Sequence, residues 1–321
     1  GITSNEIAFI LLDFYKKERK VYLENIEKNK YYIWLSSIEK ISTREKIRLL
    51  DKYKNPQILF DKSKKELEEE LTDDYDNSSK IIKELTNTYY KIRLEIHIKN
   101  IKKYGIEVIT YNDKRYPRQL RNITDYPICL YCKGNVELLN RTKKLAIIGC
   151  RDYSEYGKKI AKKFAYKLAK ENIVIVSGGA RGIDSFAHQG TLDANKETIA
   201  ILGNGIDYIY PPENKELEEK IVQNNGVLVS EYLIGTRPSK YTFPARNRII
   251  SGISDGILVI EAKEKSGTLI TVDFALEQGK NVYAIPGNID SKNAEGTNEL
   301  IKQGAKLVTK PEEILEDFII L

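Results

Sequence analysis

The 321 residues contain no methionine, one tryptophan, two histidines and three cysteines. Composition supplies no physical account of the missing methionine. No run of about 20 apolar residues occurs, which excludes a transmembrane helix, and no membrane partner is expected. The N-terminus lacks a basic region leading into an apolar core and a small-residue cleavage site, so no signal peptide is expected. Three cysteines fit a reducing compartment, and the expected location is cytoplasmic. Cys129 and Cys132 form a C-x-x-C in a strand-like run without a second pair, which is half of a four-ligand zinc site. With only His97 and His188 besides, neither a metal nor a cofactor is expected. No G-x-x-x-x-G-K-[ST] occurs, which argues against a P-loop hydrolase. No Ser-His-Asp arrangement is suggested either.

Charge is plentiful but nearly balanced: 52 basic against 46 acidic residues, a formal +6. That excess does not by itself identify a nucleic-acid binder, so local clustering has to make the case. The length suggests about two domains. Residues 1–104 read as helical, with helices over 6–15, 31–41, 43–50, 62–71 and a long one over 80–104. A polar stretch at 72–79 interrupts them. From Gly105 the period changes. Strands are expected at 106–110, 128–131, 145–148, 173–176, 198–202, 227–229, 256–260, 282–285 and 306–308. Helices are expected at 156–170, 183–195, 216–224, 244–253, 269–278 and 298–303. Short apolar strands alternating with helices give a doubly wound α/β domain with a mostly parallel sheet, over 105–321. Ligands of such a domain sit at the carboxyl ends of its strands.

Those strand ends are rich in glycine. Gly149, Gly178, Gly179 and Gly182, with Arg181, are candidate phosphate loops, because glycine lets backbone N–H groups approach an anion closely. The densest cluster is Lys240-Tyr241-Thr242-Phe243-Pro244-Ala245-Arg246-Asn247-Arg248. Pro244 is expected at the first position of a helix, leaving free N–H groups and a partial positive charge there. Arg246 shares the helix face of Ile249, Ile250 and Ile253 and can leave only past the helix end. Arg248 points away from that face. A competing reading makes the arginines structural, satisfied by a carboxylate such as Glu231. His188 reads as packed or capping, and Asp184 as a cap or a partner for Arg181. Cations and N–H groups without a placed acid or base favour binding over turnover.

From Tyr116 to Ile314 the chain resembles the bacterial DNA-processing protein A family, also called Smf. The resemblance rests on Y-P-x-x-L at 116–120, L-Y-C-K-G-N at 130–135, S-G-G-A-R-G-I-D-S-F-A-H at 177–188, G-I-D-x-I-Y-P at 205–211, S-E-Y at 230–232, F-P-A-R-N-R-I-I at 243–250, E-A-K-E-K-S-G-T-L-I-T at 261–271, V-Y-A-I-P-G at 282–287 and G-T-N-x-L-I-x-x-G-A at 296–305. It implies an extended Rossmann-like domain that binds single-stranded DNA, dimerises and helps load the recombinase RecA in natural transformation, without catalysis. By position, its DNA pocket would use Arg151, Lys240, Phe243, Arg246, Asn247 and Arg248, with Ser266, Gly267 and Thr268 offering N–H and hydroxyl groups. Arginine and lysine neutralise phosphates, and an aromatic ring stacks an unpaired base.

The helical region resembles the family's small SAM or helix-hairpin-like domain. Glu39-Lys40-Ile41-Ser42 replaces its glycine-rich hairpin, so no independent DNA contact is expected there. Gly179 stands where the family more often has a larger apolar residue, and Cys150-Arg151 matches its turn in part. The family's C-terminal winged-helix domain is expected to be absent. The alternative is a nucleotide-processing enzyme on the same fold, phosphoribohydrolase-like, or a nucleotide sensor. The loop 265–271 lacks the catalytic Glu of that enzyme group, so Asp273 or Glu277 would have to substitute.

Overall fold

The computed structural model describes residues 3–71 and 77–319. Most of the expected break at 72–79, and the last two residues of the apolar stretch 318–321, lie outside them. The chain divides into two compact units, Gly1–Thr110 and Tyr111–Leu321.

The first unit carries α1 (Ser4–Lys28), α2 (Lys30–Ser37), α3 (Thr43–Tyr53), α4 (Pro56–Asp61), α5 (Lys64–Leu71), α6 (Ser78–Leu85) and α7 (Thr88–Tyr104), then a short strand β1 (Glu107–Thr110). Trp34, Leu35, Leu49, Leu59 and Leu85 are fully buried in it. Ser42 and Glu45 form a reciprocal capping box at α3, satisfying two N–H groups that a helix start otherwise leaves unpaired. The expected long helix over 80–104 is two helices. The Thr86 hydroxyl donates back to the Ile82 carbonyl, and the Asn87 side chain accepts from the Tyr89 N–H. These side chains compete with the helical ladder and restart it as α7.

The second unit is a twisted sheet with helices on both faces. Its strands are β2 (Cys129–Gly134), β3 (Lys144–Ile148), β4 (Val174–Gly178), β5 (Thr198–Ile201), β6 (Val227–Ser230), β7 (Gly256–Val259), β8 (Asn281–Ala284) and β9 (Lys306–Leu307). They run in the order β2-β6-β5-β4-β3-β7-β8-β9. Only β2 is antiparallel to its neighbour, pairing Tyr131 with Ser230. The helices are α8 (Glu155–Lys170), α9 (Ile183–Asp193), α10 (Lys215–Gln223), α11 (Thr242–Ile253), α12 (Gly267–Glu277), α13 (Lys292–Lys302) and α14 (Glu312–Ile319).

Alternation along β3 sends Leu145 and Ile147 into a core with Phe164, Leu168 and Phe186 of α8 and α9. Ala146 and Ile148 face the other layer, where α11 and α12 pack. The sheet is the expected Rossmann-like, mostly parallel one. Strand order reverses between β3 and β7, which are paired, and that reversal opens a crevice at their carboxyl ends.

Candidate nucleic-acid interface

A cavity of about 370 Å³ occupies that crevice. The turn after β3 supplies Gly149 and Arg151, the first two turns of α11 supply Phe243, Arg246 and Asn247, and the start of α12 supplies Ser266, Gly267 and Thr268. Eight residues singled out in the sequence are therefore brought together here.

The start of α11 is built differently from the sequence expectation. The helix begins at Thr242 rather than at Pro244. The Ser239 hydroxyl accepts from the N–H groups of Tyr241 and Thr242. Those N–H groups are thus already used, and Pro244 has none. What α11 offers the cavity is side chains. The N–H groups of the α12 start differ, since Ser266 makes no side-chain cap there. Ser266, Gly267 and Thr268 line the cavity, and the dipole of an 11-residue helix stands behind them. The Ser266 hydroxyl is buried with no partner among the described residues.

Arg246 does sit on the isoleucine face and is buried. Its Nη1 donates to the Ile201 carbonyl at 2.6 Å and its Nε to the Asn247 side-chain oxygen at 3.1 Å. Beside it lies Asp184, buried at the start of α9. Gly178 makes room for both, because a Cβ there would stand 2.5 Å from the Asp184 carboxylate and 2.9 Å from the Arg246 guanidinium. Burial pushes Asp184 up to about 6, against the pull of Arg246. Burial lowers Arg246 to about 10, with Asp184 opposing. The guanidinium therefore keeps its charge at neutral pH, and Asp184 serves Arg246, not Arg181.

Phe243 lies close to two cations. The Arg151 guanidinium is 5.2 Å and that of Arg246 5.4 Å from its ring centre. The ring backs onto Gly203, where a Cβ would stand 2.9 Å away. Tyr210, which the sequence reading passed over as a site residue, places its ring 5.6 Å from Phe243. Its signal was present, since it follows β5 at the same sheet edge.

Arg248 does not line the cavity. It is 5% exposed and forms a bidentate pair with Glu231, at 2.6 and 2.7 Å. Its Nε reaches the Asp125 carbonyl, and Nη1 also reaches that of Ala245. The structural reading is right for this arginine. The face of α11 away from the isoleucines is covered by the segment around Leu120 and Asp125, which local periodicity does not reveal. Lys240 is exposed beyond the cavity lining, with its ammonium 5.1 Å from the Tyr241 ring.

The glycine loops divide likewise. Gly149 lines the cavity and packs on Ile183, where a Cβ would stand 2.8 Å from the Ile183 side chain. The Gly178 carbonyl accepts from His188, and that of Gly179 accepts from Asn214. Gly182 has φ +88° and packs on Cys150, where a Cβ would meet a carbonyl at 2.4 Å. Geometry, not anion contact, accounts for Gly178 and Gly182. Arg181 lies outside this cavity and pairs with Asp152 at 3.5 Å. His188 is buried with both ring nitrogens engaged, by Thr198 at 2.7 Å and Gly178 at 2.9 Å, as a packed histidine. Burial lowers it to about 4, so the ring is neutral; Nε2 faces the Gly178 carbonyl, and Nδ1 faces the Thr198 hydroxyl, which itself donates to the Ile175 carbonyl.

A family model described as DNA recombination-mediator protein A matches residues 107–319. Protein Smf of Escherichia coli K12 is 46% identical over 210 residues, 65% of this chain and 56% of that protein. DNA processing protein DprA of Bacillus subtilis is 41% identical over 213 residues, 66% of this chain and 71% of that one. The X-ray structure of DprA from Streptococcus pneumoniae superposes with a TM-score of 0.71 at 34% identity, covering 90% of this chain and 98% of that chain. A Helicobacter pylori DprA structure, described as showing a unique single-stranded DNA binding mode, gives 0.61 at 32% identity, covering 67% and 97%. No described helix is long and apolar enough to cross a membrane.

Proposed function

The chain belongs to the DNA recombination-mediator protein A family, and from that premise we propose that it binds single-stranded DNA and acts as a recombination mediator. The observation that carries the reading is Phe243 set close to both Arg151 and Arg246 at the strand-order reversal. An unpaired base stacks on the ring, whatever its identity, while the guanidinium groups and the α12 N–H groups take the flanking phosphates. Asn247, Ser266, Gly267 and Thr268 complete the wall, and Lys240 stands at the rim. Arg248 acts through α11, which it fixes to Glu231. A duplex cannot present an unstacked base to a cavity of this size.

Loading of the recombinase RecA, operation in natural transformation, dimerisation and a cytoplasmic location belong to the same reading. They are supported by family membership.

The same site is read as non-catalytic. Of the two carboxylates lining the cavity, Asp184 is held against Arg246, and Asp152 is shared by Arg181 and Lys263. Neither is placed as a general base. Fluorescence anisotropy with labelled oligonucleotides tests the binding: single strands should bind more tightly than duplex, and Phe243→Ala should lose about tenfold or more. Equal affinity of Phe243→Ala and the unaltered protein would remove the pocket from the reading. Incubation with AMP should release no adenine.

A further inference from the structure

A second cavity, of about 300 Å³, lies on the other side of Arg151 and Phe243, which line both. Its remaining polar walls are Arg181, Tyr210 and Glu213. None of these three enters the first cavity. Tyr210 is 39% exposed, and its ring is inclined 45° to Phe243. Among the described residues Arg181 pairs only with Asp152, with side chains 58% and 72% accessible, so most of its donors stay available. The two walls are tied together: Asn214, two positions past Pro212, donates to the Gly179 carbonyl at 3.0 Å, next to Ala180 and Arg181.

We propose that this second cavity holds the neighbouring nucleotide of a bound single strand. Its base stacks on Tyr210, and the linking phosphate lies between Arg151 and Arg181. A plain anion site would not carry a carboxylate in its wall. Glu213 fits instead a base with an exocyclic amine, cytosine before thymine, because a carboxylate accepts from cytosine N4 and repels the thymine O4 acceptor. Two aromatic platforms sharing one arginine make a track two nucleotides long. The inference rests on the single-strand reading above and adds a second subsite and a base preference to it.

Anisotropy with fluorescein-labelled oligo-dC and oligo-dT of equal length tests it. Tyr210→Phe should bind as the unaltered protein does, and Tyr210→Ala about tenfold more weakly. Arg181→Ala, a surface change that leaves folding intact, should lower the slope of log affinity against log salt by about one contact. Glu213→Gln should narrow the dC-over-dT preference. If Phe243→Ala weakens binding while Tyr210→Ala, melting as the unaltered protein does, and Arg181→Ala leave it unchanged, the second subsite is overturned and the first stands. If Phe243→Ala is also silent, the single-strand reading itself fails. Equal losses in Tyr210→Phe and Tyr210→Ala would overturn stacking, and equal dC and dT affinity would overturn the role of Glu213.

Discussion

Arg246 and Arg248, two positions apart on α11, carry the same charge into different jobs. Arg248 loses its water to the segment around Asp125 and regains partners from Glu231 and two backbone carbonyls. Removing one side of such a pair leaves the other charge buried and alone, which costs about 3–5 kcal/mol. Arg248→Ala should therefore lower the urea midpoint markedly, and Arg248→Lys should recover only part, since an ammonium cannot make the bidentate contact. Affinity for DNA, measured where the variant is still folded, should change less than in Arg151→Ala. The sequence showed Glu231 as a candidate partner but not which arginine it serves, because the answer depends on a segment more than 120 positions earlier. Histidine gives a second residue-scale expectation. Burial, then Arg93, lowers His97 to about 4. The unfolded chain then binds more protons between about pH 6.5 and pH 4, so stability is full above 6.5 and falls toward 4. Asp184, raised to about 6 in the other unit, has the opposite sign: its ionisation costs stability as pH rises from about 4 to 6. His188 follows the sign of His97 and offsets Asp184 within that unit. His97→Gln should flatten the acid loss of unfolding free energy, measured by urea titration, by an amount on the order of 1 kcal/mol, and an unchanged profile would remove His97 from the account.

Among the elements, α1 departs most from what its sequence suggests. Residues 6–15 read as an apolar helix, which ordinarily means a buried face. Yet Ile26 is the only residue of its 25 that is buried. Anchoring lies in its last third, where Tyr22 donates to the carbonyls of Ile101 and Ile106 and Asn25 to that of Val108. Phe9, Leu11 and Phe14 are more than 60% exposed. Deleting residues 4–15 should therefore leave the melting temperature of the remaining chain within a degree or two, because no core contact goes with them. A drop of 5 °C or more, which corresponds to about 1 kcal/mol or more of lost stability, would contradict that. Elsewhere elements were legible where pattern and cap agree. The strands of the second unit appear within two or three residues of expectation because each is a short apolar run closed by a turn. The split between α6 and α7 was not legible, since Thr86 and Asn87 are tolerated inside a helix and only their hydrogen bonds show that they end one. Nor was α14 anticipated, a short helix whose Ile314 and Phe318 complete the core against Phe164.

For the second unit as a whole, function follows from one topological fact, the reversal of strand order between β3 and β7. The net charge of +6 is spread over an almost balanced surface and cannot by itself direct a polyanion to one place. What concentrates the field is the reversal, which brings the turn after β3 and the starts of α11 and α12 to one crevice. Of the two arginines there, Arg246 is offset by the buried Asp184, so Arg151 supplies more of the field in the cavity. Salt dependence should therefore report the number of cations at this edge rather than the overall charge. For single strands the slope of log affinity against log salt is about −0.7 per phosphate neutralised. Arg246 is already offset by Asp184, so Arg151 and Lys240 with Arg181 predict a slope near −2 (about 0.7 × 3). Arg151→Ala should reduce it by about 0.7, and removing two exposed lysines of the first unit, Lys16 and Lys17, should leave it unchanged. A slope that falls equally for both sets would mean that binding follows total charge, and that the crevice is not where the strand is held.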